Sequence, residues 1–495
     1  AAPKGRVSAF GRPGGTDMTF FWHDYETFGR VPRRDRPAQF AGLRTDAELN
    51  ELEPPVMIYC RPAPDWLPEP EACVLTGITP QMCLERGVPE HEFAHAIEQQ
   101  LARPGTVGVG YNSIRFDDEV TRHLFWRCLI DPYAREFQNE CGRWDLLDVV
   151  RCCYALRPDG IEWPLHDDGR ASFRLEHLAT ANGLMHAAAH DALSDVRATI
   201  ALARRIRTAQ PRLWDFCLRL RKKDAVNQEI ATAQALGQPF LHVSGMYGPE
   251  RGCIAAVWPL APHPTHKNEL IVWDLSHDPA ALFALGVEEI RTRMFSKAEQ
   301  LPPGVARLPI KTIHTNKSPI VVANLKTLSA EMAARWGLDM AAALRHAAVA
   351  AQGSAAMAGL WSDIFQRPPG ATRVDVDEDL YGGFVGNDDR RVLERLRALT
   401  PEQLALKRPE FKDARLDELL LRFRARNHPA TLSPAEQAQW QAHCARRLHE
   451  GGEGSLGLQA YLDHIDVLTE SADERGQDIL GALVDYATEI APELP

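Results

Sequence analysis

Several features that would place a sequence quickly are missing from this chain of 495 residues. No apolar run approaches the ~18 residues that a membrane-spanning helix needs, so no membrane partner is expected. None of the ten cysteines forms a C-x-x-C pair, and Cys152 and Cys153 are adjacent. That pattern predicts scattered reduced thiols in a cytoplasmic protein rather than a zinc site or a disulfide framework. A basic excess is also absent: 56 Lys and Arg stand against 67 Asp and Glu, a net charge of −11. This argues against a protein that coats nucleic acid with its whole surface. The G-V-G of residues 108 to 110 is not a G-x-G-x-x-G dinucleotide loop, and no internal repeat is found. Residues 1–16 lack the apolar core of a signal peptide and are read as a disordered leader.

The apolar share of 45% and the charged share of 25% are those of an ordinary globular protein, and the length suggests about three domains. Strand-like and helix-like segments alternate from about residue 17 to 210, as in a layered α/β domain. Its strands are expected near Thr19 to Tyr25, Ala38 to Thr45, Met57 to Cys60 and Thr106 to Tyr111. Q-P-R-L-W after the helix that ends near Gln210 reads as a boundary. Short apolar runs between about 240 and 325, separated by Pro, Gly and Asn, predict a small β-rich unit. From about 327 onward the spacing is helical, interrupted by the Pro-Pro-Gly after Arg367. Three local basic clusters stand out: Arg30, Arg33, Arg34 and Arg36; Arg219, Arg221, Lys222 and Lys223; Arg422, Arg424 and Arg426. Each reads as a solvated surface run or as part of a basic channel.

Four acidic residues and a histidine carry the chemistry. Asp24 and Glu26 lie in T-F-F-W-H-D-Y-E-T-F-G, where the preceding apolar run predicts a buried strand. Residues two apart on a strand face the same side, so the two carboxylates share one surface. They repel each other unless a cation neutralises them, and hard oxygen ligands suit Mg²⁺ or Mn²⁺. Asp117 follows an apolar strand and a turn, where a helix is expected to open. In H-D-A-L-S-D-V-R-A-T-I-A-L-A-R-R-I, His190 and Asp195 are five apart, about 140° round an ideal helix. They meet only if His190 precedes the helix and Asp195 occupies its first turn, with Asp191 as N-cap. Asp118 and Asp191 are rival candidates for the third and fourth carboxylates. Asp145 and Asp148 in R-W-D-L-L-D-V read as an i,i+3 structural pair on a helix, with support of the metal ligands as the alternative.

These motifs, Asp-x-Glu, Asn-x-x-x-Phe-Asp (Asn112, Phe116, Asp117) and His-x-x-x-x-Asp, resemble those of the histidine-containing DEDD nucleases. The likeness narrows further. H-D-Y-E-T-F-G, D-R-P-A-Q-F-A, L-T-G-I-T-P, G-Y-N-S-I-R-F-D-D-E-V-T-R, R-W-D-L-L-D-V, Y-A-L-R-P-D-G-I and S-F-R-L-E-H-L resemble the bacterial exonuclease I family. H-V-S-G-M, N-K-S-P and L-L-L-R-F-R-A-R-N-H-P-A-T-L extend the similarity beyond the nuclease part.

The resemblance implies an α/β RNase H-like DEDD exonuclease domain over 17–210, an SH3-like domain over 211–362 and a helical C-terminal domain over 363–495. It implies processive 3′-to-5′ hydrolysis of single-stranded DNA to 5′-mononucleotides, by a monomer. Asp24 would bridge two Mg²⁺ ions, for which Mn²⁺ could substitute, and Glu26 and Asp195 would complete one of them. Asp117 would hold the second ion, and His190 would be the general base. Glu26 is also expected to contact substrate. Tyr25 and Phe28, which flank the carboxylates, are candidates for stacking on the terminal base, with core packing as the alternative. A basic pocket including Arg157 would bind the acidic C-terminal tail of single-stranded-DNA-binding protein. Other readings are an exonuclease acting on RNA, a proofreading domain, and a single-stranded-DNA scaffold with an inactive nuclease fold.

Overall fold

The computed structural model describes residues 18–184, 191–366, 374–452 and 454–491. The expected leader therefore lies outside the described residues, as does the Pro-Pro-Gly after Arg367. Among the described residues no helix is long and apolar enough to cross a membrane.

The first sheet has five strands: β1 Thr19–Thr27, β2 Pro37–Thr45, β3 Val56–Tyr59, β4 Thr106–Gly110 and β5 Gly142–Asp145. Their order is β3-β2-β1-β4-β5, with β4 and β5 parallel to β1 and with β2 and β3 antiparallel. Helices α1 (Glu90–Leu101) and α2 (Asp117–Arg127) cover one face, and α3 (Leu146–Leu156) and α4 (Ala192–Ala209) the other. The period of two along β1 divides its residues between these faces. Phe20 and Trp22 join the core with Val149 and Val196, whereas Phe21 and Tyr25 join Phe93, Val120 and Leu124.

The second sheet is antiparallel throughout: β6 Phe240–Val243, β7 Ile254–Pro262, β8 Glu269–Asp274, β9 Ile310–His314 and β10 Ile320–Val322, in the order β10-β6-β7-β8-β9. No linker separates it from the first. The helix after α4, Pro211–Arg219, starts at once with Pro at its first position, where the missing N–H costs nothing. Its Trp214 packs edge-on against Trp144 of β5 at 4.8 Å between ring centroids. Trp336 lies 4.8 Å from Tyr154, and its indole N–H donates to the Ala155 carbonyl at 2.9 Å. One apolar core thus runs from Phe20 through Trp336 to Ile364, including α5 (Met340–Met357).

The remaining helices include α6 Arg415–Asn427, α7 Pro434–Glu450, α8 Leu458–Thr469 and α9 Glu474–Ile490. They return to the first sheet from the α1 and α2 side, where Leu416, Leu419 and Phe423 pack with Phe93 and Leu124. The cluster of Arg422, Arg424 and Arg426 changes meaning here, and so does Arg36 of the first cluster, while Arg30 and Arg33 stay mostly exposed. Arg36, Arg422 and Arg424 are 3%, 4% and 3% exposed. Arg36 pairs with Asp377 at 3.1 Å and Arg426 with Asp65 at 2.7 Å, joining the first domain to the last helices. Arg422 reaches Asp375 and Asp377, and Arg424 reaches Glu436. They are neither a solvated run nor a channel wall, because each has a carboxylate partner from a distant or neighbouring segment that takes it out of water.

Candidate active site

The apolar rungs of β1 give way to carboxylates on the same face: Phe20 and Trp22 are fully buried, and Asp24 and Glu26 continue their column. Asp195 comes to them from the first turn of α4. Asp191 is the N-cap of that helix, its carboxylate accepting from the Ser194 amide at 3.1 Å, which fixes where the helix starts. One oxygen each from Asp24, Glu26 and Asp195 lie within 4.8 Å of one another, the only such grouping of three potential ligands among the described residues. His190 lies outside the described residues.

Asp117 is the first residue of α2, and its Oδ1 accepts the Tyr25 amide at 3.1 Å. It stands outside the group of three but close enough to bear on Asp24. Asp118, its rival, turns away: it pairs with Arg135 at 2.6 Å and Arg143 at 3.3 Å. Burial alone would raise the Asp118 pKa, but those two guanidinium groups more than offset it and hold the carboxyl at about 2.

Around Asp24 the neighbouring charges act in the other direction. Burial, then Asp117, Glu26 and Asp195, hold the Asp24 carboxyl well above the usual range. Burial and the charges of Asp195, Asp117 and Asp191 push Glu26 up to about 8. Asp117 is raised too, by burial and by Asp118, the Tyr25 amide partly opposing. Crowded like charges of this kind favour either protons or an external cation. All-carboxylate oxygen donors fit hard divalent ions such as Mg²⁺ or Mn²⁺.

Two flanking aromatics are not available for stacking on a base. Tyr25 is 4% exposed, and the alternation of the strand turns its ring to the opposite face, against Phe40 and Phe93. Its hydroxyl pairs with Thr121 at 3.0 Å. Phe28 is 1% exposed and packs with Ile78, Tyr461 and Leu480. Core packing, the alternative, describes both. Arg157 is exposed, and its guanidinium donates to the Leu156 carbonyl and, at 2.9 Å, to the Thr327 carbonyl.

Asp145 departs from the expected helical pair. It ends β5 and is the N-cap of α3, while Asp148 lies in the first turn of that helix. An aromatic residue before an Asp that is followed by an apolar helical run was the available signal for this strand-to-cap junction.

Comparison with known proteins adds three family matches: Exonuclease over residues 21–203, Exonuclease I SH3-like domain over 221–367 and Exonuclease I C-terminal domain over 374–490. The chain is 42% identical over 479 residues to exodeoxyribonuclease I of Escherichia coli strain K12, covering 96% of this chain and 99% of that protein. It superimposes with a TM-score of 0.90 and 47% identity on a moderately thermophilic exonuclease I from Methylocaldum szegediense, over 96% of this chain and all of the other. E. coli exonuclease I bound to a dA16 oligonucleotide gives 0.90 at 41% identity, with 96% of this chain and all of the other covered. An exonuclease I solved with SSB and the inhibitor CFAM gives 0.89 at 41% identity and the same coverage.

Proposed function

The chain belongs to the exodeoxyribonuclease I family, and we propose that it hydrolyses single-stranded DNA from the 3′ end, releasing 5′-mononucleotides, as a cytoplasmic monomer. The observation that carries this reading is the convergence of Asp24, Glu26 and Asp195 oxygens within 4.8 Å. Relatives bound to DNA oligonucleotides support the substrate class.

Asp24, Glu26 and Asp195 would hold a divalent cation, and Asp117, aimed by the Tyr25 amide, would hold a second. When bound, two Mg²⁺ ions supply positive charge to the attacking and leaving oxygens of an in-line displacement at phosphorus. His190, which immediately precedes the Asp191 cap, accepts the proton of the attacking water. The new bond joins the water oxygen to phosphorus, and the bond to the 3′ oxygen of the preceding nucleotide breaks. That oxygen takes a proton from solvent, so the shortened strand keeps a 3′-hydroxyl. Glu26 would also contact the terminal nucleotide.

Exposed Arg157, at the seam between α3 and the SH3-like part, supports recognition of the acidic C-terminal tail of single-stranded-DNA-binding protein, since one relative was solved with SSB. Arg157→Ala should weaken a tail peptide in a polarisation assay and leave hydrolysis of free DNA unchanged. The main test is release of mononucleotides from 3′-labelled single-stranded DNA in Mg²⁺, with EDTA, duplex and RNA as comparators. Equal rates on RNA, or rates indifferent to EDTA, would overturn the reading.

A further inference from the structure

The turn that delivers Asp117 is held from beneath by a carboxylate that the proposed chemistry does not use. Asp145 is 2% exposed, and each of its oxygens is engaged by backbone amides. Its Oδ1 accepts from Asn112 at 2.9 Å and Leu147 at 3.0 Å, and its Oδ2 accepts from Ile114 at 3.2 Å. One side chain therefore ties the end of β5 and the start of α3 to the segment between β4 and α2. That segment needs tying. Asn112 has a left-handed backbone, φ +62°, a conformation that costs a non-glycine residue free energy unless its surroundings enforce it. The carbonyl of Ser113 then accepts the Asp118 amide at 2.8 Å, so the turn sets the first residues of α2.

We propose that Asp145 is a positioning residue for the divalent-ion site: by holding Asn112 and Ile114 it fixes the start of α2 and aims Asp117 toward Asp24. The inference rests on the metal reading of Asp24, Glu26, Asp117 and Asp195. Asp148 supplies an internal control. It sits three residues further on, 7% exposed, but its partners are the side chains of Arg115 and Arg151 at 3.4 and 2.9 Å. Asp145 and Asp148 are thus both buried acidic side chains at the start of α3, and of the two Asp145 is the one that grips the backbone of the turn.

Asp145→Asn keeps shape and one acceptor but turns an amide NH₂ toward a backbone N–H, leaving at least one donor unpaired. Partners that orient metal ligands typically change affinity about 10- to 100-fold when lost. The expected result for full-length Asp145→Asn is Mn²⁺ binding weakened about 10-fold or more by calorimetry. The Mg²⁺ concentration for half-maximal hydrolysis should rise in parallel, with single-stranded DNA binding in EDTA unchanged. Asp148→Asn should bind Mn²⁺ as the parent does. Wild-type Mn²⁺ affinity in Asp145→Asn, or an equal loss in Asp148→Asn, would overturn the proposal. Should Asp145→Asn not fold, Asn112→Ala loosens the same turn from its other side, and an unchanged Mn²⁺ affinity there would count equally against it. Asp24→Ala, run alongside, separates the two ideas. If it retains hydrolysis the metal reading itself fails, whereas if it is inactive and Asp145→Asn is normal, only the role of Asp145 fails.

Discussion

Glu26 and Asp377 are both buried carboxylates, 8% and 0% exposed, and burial leaves them in opposite states. Glu26 belongs to a set of one sign, and its pKa is pushed up to about 8 by burial and by neighbouring aspartates. Asp377 sits among Arg36, Arg422 and Arg426; burial opposes its ionisation, but those guanidinium groups hold it well below the usual range. The second cluster carries its own countercharge and ties the first domain to the last helices. The first gathers charges of one sign and is suited to take countercharge from outside. The sign of the neighbours, more than the depth of burial, separates a place for chemistry from a structural tie.

The sharpest way to break this contrast is to remove one carboxylate from each cluster. Asp24→Ala is expected to abolish hydrolysis in Mg²⁺ while leaving the melting temperature equal or higher, because it relieves repulsion as it removes a ligand. A folded, fully active Asp24→Ala would sink the assignment. His190→Ala should lower kcat by roughly 10²- to 10⁴-fold with DNA binding little changed; a change in KM alone would instead make it a binding residue. Asp377→Ala should do the reverse of Asp24→Ala. Taking the carboxylate from buried Arg36 costs about 3–5 kcal/mol, read as a lower denaturant midpoint, with the chemical step of the folded fraction intact, while Arg422 and Arg426 keep Asp375 and Asp65.

The two clusters should also answer pH in opposite directions. The folded pKa of Glu26 is about 8 against an ordinary 4.5, so its contribution to metal-free stability is full below about 4.5 and is lost as pH rises through 8. Asp65 and Asp377 are held well below an ordinary 3.8, so theirs is present above that value and lost only as pH falls through the lowered pKa. Melting temperature in EDTA should therefore decline between about pH 5 and 8, and Mg²⁺ should flatten that decline. An identical slope with and without Mg²⁺ would contradict it. The smallest effect is expected of Tyr25→Phe, which deletes only the contact with Thr121: about 0.5–1.5 kcal/mol of stability, with hydrolysis unchanged. A large loss of activity there would return Tyr25 to the site.

The strand period made Asp24 and Glu26 legible in the sequence, and helical spacing with a capping residue placed Asp195 on the first turn of α4. β5 was hidden because Gly142–Asp145 has only four residues and runs straight into α3, so the helical period of Leu146 to Val150 swallowed Asp145. Tyr25 and Phe28 adjoin the carboxylates in sequence but are buried in apolar packing, Tyr25 on the opposite face of β1, which adjacency alone does not reveal. The arginines of α6 were misread for another reason. The partner of Arg426 on the first domain, Asp65, is 361 residues away, a distance over which no local pattern carries information.

That separation has a consequence for how the chain is made. Arg36 meets Asp377 across 341 residues, which at about 5–20 residues per second means roughly 17–70 s of synthesis after Arg36 has been joined to the growing chain. Throughout that interval the N-terminal domain on the ribosome displays the Arg36 guanidinium and the Asp65 carboxylate before Asp377 and Arg426, their ion-pair partners, have been made. Its apolar contacts with α6 are equally open. The nascent chain should therefore stay protease-sensitive at this face, and a target for holding chaperones, until the last quarter of the polypeptide arrives to seal it.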